Sequence, residues 1–122
     1  MPELIEADKN VTFHKQMDEQ ISPVIVVNRL TVDPKEADQL LKCWAATAAY
    51  QKQQPGFIST QLHRGIGGSS VFLNYEVWES VEAYKQAFNS AEFQSNLKGY
   101  PDSVTVSPHM FQKLHVPRVC VV

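Results

Sequence analysis

Few side chains in this sequence are equipped for chemistry, and each stands alone rather than in a dense motif. Asn28 lies inside the β-branched run PVIVVNRLTV, Pro23 to Val32, where strand alternation puts it on one face with Val26 and Leu30. An amide on an apolar face needs a hydrogen-bond partner, because burying it unpaired is costly. Two readings are open: neighbouring backbone or an ordered water satisfies it, or it points into a pocket and donates to a bound molecule. Trp78 closes the run VFLNYEVW with an indole N–H, a second possible donor, although a tryptophan at a strand end also serves plain core packing. His63 ends the run FISTQLHR and, with an unperturbed pKa of about 6.5, has the right basicity for a general base near neutral pH. A surface histidine is the simpler reading of that position. Asn28, Trp78 and His63 are the catalytic candidates, for proton removal and oxyanion stabilisation on a small molecule. Trp44, Phe72, Tyr84, Phe88 and Phe93 are the candidates to line its binding pocket, with core or rim packing open for Tyr84 as for Tyr75.

Other polar residues carry less. Arg29 and Arg64 can pair with an anionic substrate, or with a carboxylate across a subunit contact. His109 and His115 share a strand face only if Pro108 introduces no bulge, and no third ligand accompanies them, so no metal is expected. Cys43 and Cys120 are far apart and outside any CxxC spacing, which suits free thiols in a reducing compartment.

The elements that must position these residues follow from pattern. Pro23 to Val32 reads as a strand whose first half is apolar on both faces, Val24 and Val26 against Ile25 and Val27, as in a central strand covered on both sides. Asp33-Pro34 is a helix start, and Ala37, Leu40, Leu41, Trp44 and Ala48 then share one helical face until Pro55-Gly56. FISTQLHR and VFLNYEVW read as two strands joined by a glycine-rich turn, and Ser80 and Ser90 each cap a short helical piece. SVTVSPHMFQKLHV, from Ser103 to Val116, reads as a last strand, in which Pro108 calls for a bulge or an edge. The order is β-α-β-β-α-β, a ferredoxin-like split βαβ with an antiparallel sheet in the α+β class. Residues 1–22 form a polar arm that is loose, an edge strand or a clasp; residues 23–116 form the domain, and 117–122 an apolar tail. Strand VFLNYEVW sets Val71, Leu73, Tyr75 and Val77 against Phe72, Asn74, Glu76 and Trp78, leaving an apolar sheet face that a second copy of the chain would cover.

The bulk composition agrees with one domain. The chain has 122 residues, 43% of them hydrophobic, and a net charge of -2, so a core is affordable in size and no basic stripe for nucleic acid is present. No run approaches the roughly 18 apolar residues of a membrane span, and MPELIEADKN is no signal core, so a cytoplasmic protein is expected.

Three segments together resemble the antibiotic biosynthesis monooxygenase (ABM) family. They are VVNRLTV with its central Asn-Arg, QPGFISTQLHR with its Pro-Gly-Phe lead, and YEVWESVEAYKQAFNSAEFQ with Trp-x-Ser and Ser-x-x-Phe. The resemblance spans Pro23 to Leu114 and implies a dimeric α+β barrel, with a pocket between sheet and helices in each subunit. It further implies a monooxygenase that oxidises a phenol, quinol or polyketide-like substrate with O₂, without metal or flavin, and that the asparagine matching Asn28 faces the pocket. Haem-degrading relatives ligate iron through a histidine where this sequence has Leu97, and their ring-distorting tryptophan falls on Ala87, so haem is not expected. A non-catalytic small-molecule-binding or accessory domain is the alternative, with a cyclase or isomerase as a further one. Whether the chain is an enzyme is thus left open by its residues.

Overall fold

The computed structural model describes residues 1–120. In chain order the elements are β1 (Glu3–Leu4), α1 (Phe13–Gln16), β2 (Val24–Thr31), α2 (Ala37–Gln51), β3 (Phe57–Arg64), β4 (Val71–Trp78), α3 (Val81–Phe88), α4 (Ala91–Lys98) and β5 (Thr105–Phe111). The helix starts follow local chemistry. The Asp33 carboxylate accepts from Lys35 N at 3.0 Å and opens a 3-10 turn, Pro34–Glu36, that leads into α2. Ser80 and Ser90 accept from Ala83 N and Phe93 N, each at 3.1 Å, at the heads of α3 and α4. Gly56, between α2 and β3, has φ +85°, and a Cβ there would come within 2.5 Å of the Ala83 Cβ, so this turn is tied to the packing of α3.

The strands form one open sheet in the order β1-β5-β2-β4-β3. All pairings are antiparallel except β1 with β5. The ferredoxin-like core expected from the sequence is therefore present, a mixed α+β fold with β2 and β4 adjacent at its centre. The arm adds a strand to one edge. Of the alternatives open for it, it lies on its own body, with Glu3 N bonded to Val104 O at 3.0 Å and Ile5 N to Val106 O at 2.8 Å.

The last strand is shorter than expected, while Pro108 follows the edge alternative. β5 ends at Phe111, because Phe111 already pairs with Ile25 and its partner strand begins at Val24. His115 consequently lies beyond the strand and shares no face with His109. Pro108 causes no register slip opposite Asn28; it sits where β5 is the sheet edge, past the two residues that β1 pairs. Residues 112–120 are exposed, and the rest of the tail, 121–122, lies outside the described residues.

The helices cover one face of the sheet, where two apolar clusters form. One joins Phe13 and Met17 of the arm to Val24, Val26, Trp78, Val81, Tyr84, Ala87 and Met110. The other joins Leu30, Val32, Ala37, Leu40, Phe72, Tyr100 and Val104. Between them, on the same face of β2 and β4, lie Asn28, Asn74 and Glu76, with Asn28 opposite Asn74 and Val26 opposite Glu76. The other face carries Ile25, Val27, Tyr75 and Val77, and also Val71, Leu73 and Phe111, which are 39%, 38% and 48% exposed. Among the described residues no helix is long and apolar enough to cross a membrane.

Candidate active site

The polar residues between the two clusters close one end of a cavity of about 370 Å³. Its walls are largely apolar, with Leu30, Val106 and Pro108 from the sheet and Trp44, Tyr84, Phe88, Phe93 and Leu97 from the helices. Lys and Arg are missing from the described lining, and Glu76 is its one carboxyl group. A cavity of this size is large enough for a small molecule.

Glu76 is the centre of the closed end. It is 1% exposed, in mid-strand, and is held by side chains alone. Its Oε2 accepts from Asn28 Nδ2 at 3.1 Å and from Asn74 Nδ2 at 2.8 Å, and its Oε1 accepts from Trp78 Nε1 at 2.9 Å. The Gln51 amide adds a fourth contact. Asn74 cannot turn its amide over without losing its bond to Glu76, and its Oδ1 accepts from Thr60 Oγ1 at 2.7 Å. Burial pushes the Glu76 carboxyl from its ordinary 4.5 to about 7, against the donors from Trp78, Asn74, Asn28 and Gln51, which pull it down. Desolvation wins because the site is enclosed, and the outcome is a carboxyl that gains and loses a proton near neutral pH. The indole can only donate, and the asparagine contacts are made through their N–H groups, so the protonated carboxyl is best served by an acceptor on the cavity side.

Two tyrosines share this wall. Burial, and then the Glu76 charge, raise the Tyr84 hydroxyl well above its ordinary 10.0, so it stays protonated. Burial likewise raises Tyr100 to about 12, opposed by its contact with Thr47 Oγ1 at 3.2 Å. Neither phenol is a base at neutral pH.

A family model described as antibiotic biosynthesis monooxygenase matches residues 23–97. The chain belongs to the ABM family. SnoaB, a cofactor-independent oxygenase from Streptomyces nogalater, is 25% identical, with a TM-score of 0.68 over 80% of this chain and 99% of SnoaB. PA3566 from Pseudomonas aeruginosa shares the fold at 20% identity, with a TM-score of 0.68 over 80% of this chain and 99% of its own. Rv0793 from Mycobacterium tuberculosis shares it at 19% identity, with a TM-score of 0.69 over 79% and 99%. No curated protein matches the chain.

Within this ABM domain the sequence-derived candidates fall in different places. Asn28 lines the cavity, as do Trp44, Tyr84, Phe88 and Phe93. Trp78 is 0% exposed and stands behind Glu76, bonded to it but not lining the cavity. Phe72 belongs to the second apolar cluster, with the Arg64 guanidinium 5.0 Å above its ring. His63 is exposed on the other face of the sheet, its Nδ1 at 3.2 Å from Leu73 O, remote from the cavity lining. Arg29, also exposed, pairs with Leu73 on that same outer face. Among the described residues no three His, Cys, Asp or Glu side chains gather as a metal-binding group.

Glu76 is the residue that reasoning from motifs passed over. The signal was present: a carboxylate on the strand face of Phe72 and Trp78 has to be buried, and a buried carboxylate is a functional candidate. Gln51 and Thr60 gave no comparable sign, because their contacts with this site cross from other elements.

Proposed function

We propose that this chain is a cofactor-independent monooxygenase of a phenolic, quinol or polyketide-like molecule, with Glu76 as the general base and Asn28 as the oxyanion donor. The observation that carries the reading is a buried carboxyl, with a pKa of about 7, at the closed end of an apolar cavity. The family and the likeness to SnoaB support the reaction class.

The chemistry balances without a resident redox group. For an anthrone, Glu76 takes a proton from the methylene beside the aromatic rings, and the resulting enolate passes one electron to O₂. The substrate radical and superoxide join in a C–O bond, and the protonated Glu76 returns its proton to the distal oxygen. Loss of the remaining proton from that carbon breaks the O–O bond, forms the carbonyl and releases water. The substrate thereby supplies every electron that O₂ accepts, with one oxygen atom in the product and the other in water. Asn28 has a second N–H beyond the one bound to Glu76, and it stabilises the enolate oxygen where charge develops. The enclosing aromatic walls keep that anion from being quenched by solvent.

Oxygen uptake with anthrones and hydroquinones tests this. Glu76→Gln is expected to lower kcat/KM by about 10²–10⁴-fold and Asn28→Ala by about 10²-fold. Labelled O₂ should leave one labelled atom in the product. Equal rates in the three proteins overturn the assignment of roles, and an unlabelled isomer as product makes the site a cyclase instead.

The reading includes a homodimer. Val71, Leu73 and Phe111 lie exposed on the outer face of the sheet beside Ile25, Val27, Tyr75 and Val77, an apolar surface that a second copy would cover sheet to sheet. Sedimentation of Leu73→Lys as a monomer, against a wild-type dimer, is the expected outcome.

A further inference from the structure

The cavity is only partly a product of the family domain. The family match begins at residue 23, and SnoaB is covered almost whole while a fifth of this chain remains outside the match. Yet Met1, Pro2, Leu4, Phe13 and His14 of the arm line the cavity. The exposed residues of that lining are Met1, Leu4, His14 and Asn89; the Glu76 end is buried. The arm therefore forms most of the outer rim.

The rim is held in place. Leu4 pairs with Val106, itself a cavity residue, so β1 carries the floor of the cavity one strand past β5. The other arm element, α1, packs on α3, with the Phe13 ring centroid 6.0 Å from Tyr84 and 5.8 Å from Phe88, and His14 6.3 Å from Phe88. Gln16 locks this arrangement from behind: its Oε1 accepts from Met110 N at 2.7 Å and its Nε2 donates to Val11 O at 2.9 Å. Phe13 itself is 1% exposed. A rim fixed by core packing and sheet pairing excludes by shape, because widening it would break those contacts.

We infer that the arm is the specificity-determining wall of this site, with Leu4 and His14 setting the width of ring system that reaches Glu76. This takes the cavity to be the substrate site, as proposed above. The apolar Leu4 and the flat imidazole of His14, both at this rim, suit an uncharged aromatic system, and its ring count decides whether it passes.

Binding separates this inference from the oxygenase reading, since it needs no turnover. Equilibrium dialysis without O₂ would compare 2-naphthol, with two rings, and 2-hydroxyanthraquinone, with three. Leu4→Ala and His14→Ala are each expected to raise the three-ring to two-ring affinity ratio by about 10-fold, and Leu4→Trp to lower it by a similar factor. Leu4 is 39% exposed, so these changes leave the fold intact, which the thermal melt verifies. Ratios that are the same in all four proteins, or no binding by any of them, overturn the inference. Shifted ratios without oxygen uptake uphold it and remove the oxygenase instead; oxygen uptake with unshifted ratios does the reverse.

Discussion

The two ends of the cavity are built on opposite principles. At the closed end, Glu76, Asn74 and Trp78 come from one strand, with Asn28 on its neighbour and Gln51 on α2, and the contacts are hydrogen bonds between buried polar groups. At the mouth, Leu4 and His14 stand on a short edge strand and a single helical turn outside the family match, and the contacts are apolar and half open to water. Under the proposed function, the contrast separates chemistry from selection. A proton-transfer group needs its partners fixed and its solvent removed, which only the middle of a covered sheet provides. A size filter needs only shape, which an added segment can change without disturbing the carboxyl.

Three changes would break or sharpen that contrast. The largest falls on the arm. Phe13→Ala is expected to cost about 3–5 kcal/mol in urea unfolding, since the ring is buried between α3 and the sheet. If the arm lets go instead, limited proteolysis will cleave before residue 23 while the rest stays folded. As long as the arm stays docked, the midpoint of the pH–activity curve should not move; a shifted midpoint would mean that mouth and closed end are one unit.

The next concerns Glu76. Its carboxyl is raised in the folded protein, from 4.5 to about 7, so wild-type stability is fully present below pH 4.5 and declines as pH rises to about 7. Glu76→Gln removes that decline, leaving the variant relatively more stable at pH 8 than at pH 4 by about 3 kcal/mol compared with wild type. Activity runs the other way: kcat/KM of the wild type should rise with pH to a plateau above a midpoint near 7. Denaturant titrations and oxygen uptake across that range check both, and a flat wild-type stability profile would show that the carboxyl is not desolvated.

The smallest is Thr60→Val. It removes the donor to Asn74 Oδ1, at a cost of about 1 kcal/mol. Freed, Asn74 can present its oxygen to Glu76, which favours the protonated acid and moves the activity midpoint upward. An unmoved midpoint would show that Asn74 keeps its orientation without Thr60.

Much of this is legible in the sequence. The apolar first half of β2 announced a central strand, Asp33, Ser80 and Ser90 announced helix starts, and alternation put Asn28 on the face of Val26 and Leu30. The same alternation put Glu76 beside Trp78 on one face of β4, though only the packing of Gln51 and the aromatic wall above it makes that carboxyl desolvated. His63 is a candidate base by residue type, but alternation leaves it opposite Leu73 on the outer face. The helix-side wall was half readable, as Trp44, Tyr84, Phe88 and Phe93 share it while Phe72 packs into the neighbouring cluster.

By itself the sequence determined the strands and helices between residues 24 and 98, which face of each is apolar and, through three short motifs, the family. These are local properties, set by residues within a turn or two of each other. The tertiary structure alone decided that Glu76 gathers four donors from three elements, that burial outweighs those donors, and that the arm folds back to form the mouth. Each depends on groups distant in sequence meeting in a water-poor space, and neither periodicity nor propensity encodes such meetings.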